Sequence, residues 1–336
     1  MNFSPDLSTN QAILMSLTAA FMWGTWFISL KYLVDYPLDG FYVTLFSTSL
    51  LLVWSVGIAL DGTALFGNLQ SVLQADPSRV WLTILCGILY VLGMRISLYV
   101  YSVIGLSLSQ PIQASVNVLA GTAIAAWVGG IPQGLTISRL IISLICLTGA
   151  IIASMLAGRW QVQSQPESGQ PGGGLKFTAR DLWRGLGLLA FASLFLPAYT
   201  FGISYGLRST THPQGLAVMP FMTMLATGAF LGSMLSSGVL LVINKQWKIV
   251  LKTPFSIARF GIISGLFHYG GNIIHTFATA FLSSAVSWPL GVTAGLWTQL
   301  WGLAYGEFRS APKKAYAALI SGILLYLLGA YFIVGR

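Results

Sequence analysis

The chain of 336 residues is 55% hydrophobic and only 7% charged, a balance that leaves a water-soluble domain too little polar surface to cover itself. Its net charge of +9 would suggest nucleic acid in a soluble protein, but here the basic residues stand between apolar runs, where they set orientation, and nucleic acid is not expected as a partner. Cys86 and Cys146 both lie inside apolar runs, where a small hydrophobe packs well, so neither a disulfide framework nor a metal site is indicated.

A hydrocarbon core about 30 Å thick takes roughly 20 helical residues to cross. Apolar runs of that length fall near residues 11–34, 41–60, 80–104, 107–129, 136–157, 183–206, 215–243, 258–282, 285–305 and 315–335. They are continuous rather than alternating, so helices are expected and not barrel strands. The first run follows a short stretch without Lys or Arg and offers no small-x-small cleavage site, so it is expected to be retained. The one long polar stretch, GRWQVQSQPESGQPGGGLKFTARD, is rich in Gly, Gln, Ser and Pro and reads as a flexible joint. It divides the chain into a first five-helix unit at 1–157, a linker at 158–182 and a second five-helix unit at 183–336.

The two units share features. LTGAIIASMLAGR at 147–159 and LLGAYFIVGR at 327–336 close them, and QPIQASVNVLAGTAIAAWVGG at 110–130 aligns with WPLGVTAGLWTQLWGLAYGEF at 288–308. With an odd number of helices per copy, the second would enter the membrane from the opposite side. The expected fold is therefore an all-α polytopic membrane protein of ten transmembrane helices, built as two inverted five-helix repeats, an arrangement that gives secondary transporters two exchangeable gates.

Basic residues cluster on one side of this scheme. Arg159, Lys176, Arg180 and Arg184 follow the fifth run, Lys245, Lys248, Lys252 and Arg259 the seventh, and Arg309, Lys313 and Lys314 the ninth; Lys31 joins them by parity. Arg79, Arg139, Arg208 and Arg336 lie opposite. The positive-inside rule puts the larger set in the cytoplasm and both termini outside.

Arg95 in VLGMRISLYVYS is a full charge near the middle of a run, where insertion costs about 2.5–3.5 kcal/mol. Two readings stand: an Arg satisfied by carbonyls or snorkelling, or one facing a central cavity and binding an anionic or hydroxyl-rich substrate. His268 and His275 stand seven apart, two turns along one helix face, and each is a candidate proton carrier. Gln110, Gln113, Asn117, Asn272 and Gln299 are amides that must find partners inside the membrane, as helix-to-helix bridges or as substrate ligands. Gly270 and Gly271 before Asn272 allow close backbone approach. Among the tryptophans, Trp288 and Trp26 suit the interfacial belt, while Trp23, Trp297 and Trp301 lie deeper and could stack on a ligand.

Three segments carry a family likeness: FMWGTWFISLKYLVD at 21–35, GLFHYGGNIIHTFATAFLSSAVSWPL at 265–290, and the stretch LWGLAYGEFRSAPKKAYAALISGILLYLLGAY. The chain resembles the drug/metabolite transporter superfamily of EamA-like, ten-helix type, and in particular its glucose/ribose porter and L-rhamnose/proton symporter branch. The matched positions are Lys31, the Gly270-Gly271-Asn272 step, and Glu307, Phe308, Arg309, Ser310, Ala311, Lys313 and Lys314. The resemblance implies a secondary transporter of a small polar metabolite, a sugar or related hydroxylated solute, working by alternating access; export of drugs or amino acids and a membrane enzyme are the alternatives. Substrate-binding candidates are Trp23, Trp26, Arg95, Asn117, His268, Asn272, Trp297 and Gln299. Lys31, His268, His275 and Glu307 are candidates for gating or proton coupling. No cofactor is expected. Partners are the bilayer, a small-molecule substrate and a coupling proton or sodium ion, with the chain a monomer or homodimer in a bacterial-type inner membrane.

Overall fold

Long uncharged runs bury their own backbone polar groups by coiling, because lipid offers no hydrogen bonds. A computed structural model, describing residues 6–33, 36–104, 106–163, 179–306 and 308–334, shows the result. Ser8 and Gln11 form a capping box that starts α1, Thr9–Thr25. It tightens into a 3₁₀ segment, Trp26–Tyr32. The chain continues through α2 (Leu38–Asp61), α3 (Thr63–Ala75), α4 (Pro77–Ile104), α5 (Leu106–Val128) and α6 (Ile137–Gln163). After the linker come α7 (Ala179–Ala192), α8 (Ala198–Gly206) and α9 (Val218–Ser233), then a π turn, Met234–Gly238, and α10 (Val239–Ile243). The remaining helices are α11 (Trp247–Lys252), α12 (Phe255–Leu282), α13 (Ser284–Val292), α14 (Ala294–Ala304) and α15 (Lys313–Val334).

Among the described residues, six helical segments are long and apolar enough to cross a membrane: Thr9–Tyr32, Leu38–Asp61, Pro77–Val100, Ile137–Gln161, Val218–Ile243 and Lys313–Val334. The protein is thus an integral, multi-pass, all-helical membrane protein. This corrects the expectation of ten transmembrane helices. Four of the six precede the linker and two follow it, so the segments do not form two inverted five-helix repeats.

The physical reasons lie in the other four apolar runs. The run at 183–206 is split between α7 and α8 around Pro197, which caps α8. The run at 285–305 is split into α13 and α14 at Thr293, with Pro289 inside the first piece, where a ring without an N–H weakens the helical ladder. The run at 107–129 forms α5, whose first half carries Gln110, Gln113 and Asn117. The run at 258–282 is one long helix, α12, interrupted along its length by His268, Asn272 and His275. Uniform hydrophobicity read as span length hid these breaks and polar insertions.

Helices from before and after the linker share one core. Ser143 on α6 donates to the Gly329 carbonyl on α15 at 2.8 Å, and Tyr42, Phe46, Tyr90, Phe221 and Tyr269 belong to one buried cluster. At Gly228 on α9 a Cβ would collide with the Ile84 carbonyl of α4, and at Gly232 it would stand 2.8 Å from the Ile88 carbonyl. Small residues four apart let these two backbones touch.

Two clusters mark opposite ends of the bundle. At one, Lys31 lies over the Tyr305 ring at 4.5 Å, Tyr32 stacks on Phe260 beside Arg259, and Lys314 lies over Trp160 at 5.1 Å. Basic residues from three separate segments thus meet at one end. At the other, Asp76 and Arg79 form an ion pair at 3.1 Å, and Arg79 also bonds the Tyr205 carbonyl. There His212 bonds the Val128 carbonyl at 2.6 Å and the Thr210 N–H donates to Ala280 O at 3.2 Å, so the α8–α9 loop covers the ends of α5 and α12. Glu307 and residues 164–178 of the expected linker lie outside the described residues; the part of that linker up to Gln163 is helical.

Candidate functional site

The runs that are split or carry polar residues converge on one cavity. It has a volume of about 260 Å³, and its walls come from α1, the 3₁₀ segment, α4, α5, α6, α8, α12, α13, α14 and α15. None of its described lining residues is Asp, Glu, Lys or Arg. The walls are aromatic and amide-bearing: Trp23, Trp26, Tyr90, Tyr199, Trp288 and Tyr326, with Gln113, Asn117, His268 and Asn272.

Trp23 organises one side. Its Nε1 donates to Asn272 Oδ1 at 2.8 Å and to the His268 carbonyl at 3.3 Å, and its ring stands edge-on to Tyr199 at 6.0 Å and tilted to Trp288 at 6.4 Å. The Gly270-Gly271 step makes this possible, since a Cβ at Gly271 would come within 2.9 Å of the Trp23 ring. Gly121 on α5 seats Trp288 in the same way, because a Cβ there would collide with the indole nitrogen.

The polar inventory of these walls is incomplete. Asn117 Oδ1, Asn272 Nδ2, Trp288 Nε1 and both ring nitrogens of His268 are buried without a hydrogen-bond partner. A native interior leaves few such groups, and each costs about 1–3 kcal/mol when unsatisfied. These five atoms set the cavity walls apart from a fully satisfied core.

No protein-family model and no curated protein matches the sequence. The expected membership of the drug/metabolite transporter superfamily, its EamA-like type and its sugar-porter branch is overturned by that result and by the six-segment architecture. The segments that suggested it have local physical explanations instead. The Gly-Gly-Asn step seats Trp23, and Lys31 covers Tyr305 at the basic end.

The expected site residues separate into groups. Trp23, Trp26, Asn117, His268 and Asn272 line the cavity. Trp297 is not among the lining residues; it packs edge-on against Phe21 at 4.9 Å. Gln299 bonds the Ser154 hydroxyl and so bridges α14 to α6. Arg95 also stands outside the lining, although Met94, Ser97 and Leu98 beside it contribute. Its guanidinium bonds Asp39 at 2.7 Å and Ser237 at 3.1 Å. His275 lies one layer behind the wall, fully buried against Trp23 and Tyr199. Lys31 is at the basic end, and Glu307 is outside the described residues. Gln110 has no described side chain. Trp26 and Trp288, read as belt residues, are 3% and 9% exposed and line the cavity. Sequence reasoning missed Tyr90 and Tyr199. The available signal was their place on apolar runs beside other aromatics, which ordinary core packing produces equally well.

Among the described residues no three His, Cys, Asp or Glu side chains come together as a metal site. The walls offer flat π faces for an apolar surface, and separate donors and acceptors for hydroxyl or amide groups.

Proposed function

We propose that this membrane protein is a transporter that binds a small, uncharged, hydroxyl-bearing solute in the aromatic cavity and carries it across the bilayer by alternating access. The observation that carries the reading is the set of unpartnered polar atoms on tryptophan-rich, charge-free walls. A hydroxyl both donates and accepts, so one kind of group serves Asn117 Oδ1 and Asn272 Nδ2 alike. The C–H face of a sugar ring suits the indole faces of Trp23 and Trp288. An amino acid zwitterion would leave two charges against uncharged walls, which a low-dielectric site penalises heavily. The volume of about 260 Å³ falls just below the roughly 300–1,000 Å³ of pockets for drug-sized ligands, which favours a metabolite over a large drug. The split helices α13 and α14 support movement, since interrupted segments at membrane depth occur where they line a cavity.

The test is uptake of radiolabelled neutral monosaccharides, D-glucose, D-xylose, L-arabinose and L-rhamnose, into proteoliposomes, beside an amino acid panel and a cationic aromatic dye. Saturable uptake of at least one sugar, lost on Trp23→Ala, is expected. Uptake confined to amino acids or the dye overturns the assignment of cargo, and no uptake of any of them overturns transport.

A further inference from the structure

Behind the cavity wall, the polar neighbours of His275 gather at one of its two ring nitrogens. Thr279 Oγ1 donates to the His275 carbonyl at 2.7 Å, which uses its single hydrogen. Toward Ser287 Oγ at 2.6 Å and His275 Nδ1 at 3.5 Å, Thr279 is therefore an acceptor. Nδ1 faces Thr279 at 3.5 Å and the Tyr199 hydroxyl at 3.3 Å. Nε2 has no partner, on a side chain with no exposed surface. Nε2 points at the cavity wall, since a Cβ at the lining residue Gly291 would lie 3.4 Å from it.

We propose that the His275 ring is a proton-binding site whose charge is relayed to the cargo cavity through Trp23 and Asn272. The His275 ring stands 4.8 Å from Trp23, within the roughly 6 Å over which a cation is attracted to an indole face. Trp23 in turn holds Asn272 Oδ1, leaving Asn272 Nδ2 as the free donor on the wall. A proton from the aqueous phase adds to the ring nitrogen that carries none in the neutral imidazole and makes both ring nitrogens donors, with no other bond formed or broken. The groups facing His275 are Trp23 from α1, Tyr199 from α8, and Ser287 and Trp288 from α13, with Thr279 on its own helix. None carries a fixed charge, and Tyr199 is the titratable one among them. The relay rests on the reading of the cavity as a cargo site; the proton site itself does not.

The test uses the full chain in zwitterionic lipid nanodiscs, titrated from pH 8 to 4 with two readouts, tryptophan emission and histidine-ring NMR. A single-proton emission transition is expected in the unmodified chain, lost in His275→Gln and kept in His268→Gln. Trp23→Phe should lose the emission change while the His275 ring still titrates, an arm that stands if His275→Gln fails to fold. An emission transition that survives His275→Gln or Trp23→Phe, or its absence in the unmodified chain, overturns the proposal. Sugar uptake fails independently: a lost transition with intact uptake removes the proton site, and an intact transition without uptake removes the cargo reading.

Discussion

Arg95 Nε and Asp39 Oδ1 meet at 2.7 Å inside the bundle, and the Ser237 hydroxyl, on the π turn, bonds both. The carboxylate at the start of α2, the guanidinium of α4 and the extra turn before α10 form one clasp. Tyr42, one turn along α2, adds a second tie by donating to the Val91 carbonyl at 2.7 Å.

Removing one charge from this clasp strands the other. Arg95→Ala should lower stability by about 3–5 kcal/mol, the usual cost of an uncompensated buried charge. It should reduce the monodisperse yield in detergent, read by fluorescence-detected size exclusion and thermal melting. Arg95→Met combined with Asp39→Leu should recover most of the loss, because an apolar pair needs no partner. Equal loss in the single and double variants would place the role of Arg95 outside the pair.

Asn272→Ala removes the free Nδ2 donor but leaves the Trp23 indole its second acceptor, the His268 carbonyl at 3.3 Å. The variant should therefore melt near the parent protein yet lose about tenfold or more in transport efficiency, matching about 1–3 kcal/mol for an unmet polar group. Unchanged initial uptake rates for whichever sugar the unmodified chain carries would remove Asn272 from the cargo contacts.

How much of this was legible beforehand differs residue by residue. Asn272 and His268 announced themselves as polar groups in an apolar run, next to glycines that permit close approach. Arg95 announced a problem but not its solution, because its partner is 56 positions away and Asp39 reads as an ordinary residue at a helix start. Trp288 sits beside a proline and looked interfacial; its burial depends on Gly121 of another helix. Hydropathy recorded membrane character correctly and misjudged segment number, since averaging over a window cannot register the break at Thr293 or around Pro197.

The close approach of α4 and α9 yields a packing prediction. Gly228→Ala would drive a Cβ into the Ile84 carbonyl, and rigid backbone on the receiving side leaves no easy relaxation. A loss of about 1–3 kcal/mol is expected, the usual penalty of overpacking. Gly158→Ala, on α6 with nothing within 4 Å of the new Cβ, should instead be neutral or slightly stabilising, because alanine favours helix. Melting curves of the two variants side by side decide it.

At the α3–α4 corner, the Ser78 hydroxyl bonded to Asp76 and the nearby Arg79 guanidinium hold the Asp76 carboxyl below its ordinary value. A carboxyl depressed in the folded state contributes stability that is present above the unfolded value of about 3.9 and lost as pH falls through the folded one. Asp76→Asn should thus melt below the parent protein at pH 7, with the gap closing below about pH 4. The gap should be small, because 39% of the Asp76 side chain is exposed and solvent screens the pair. A difference that persists unchanged in acid would assign the effect to shape rather than charge.

The absence of fixed charge from the described cavity walls has an electrical consequence. A membrane potential does about 2.3 kcal/mol of work per elementary charge per 100 mV, and on an uncharged solute held by uncharged walls it does none. Voltage would then leave cargo movement alone unbiased. A proton on His275 would give the loaded carrier one elementary charge, so current measured during uptake counts protons and not cargo.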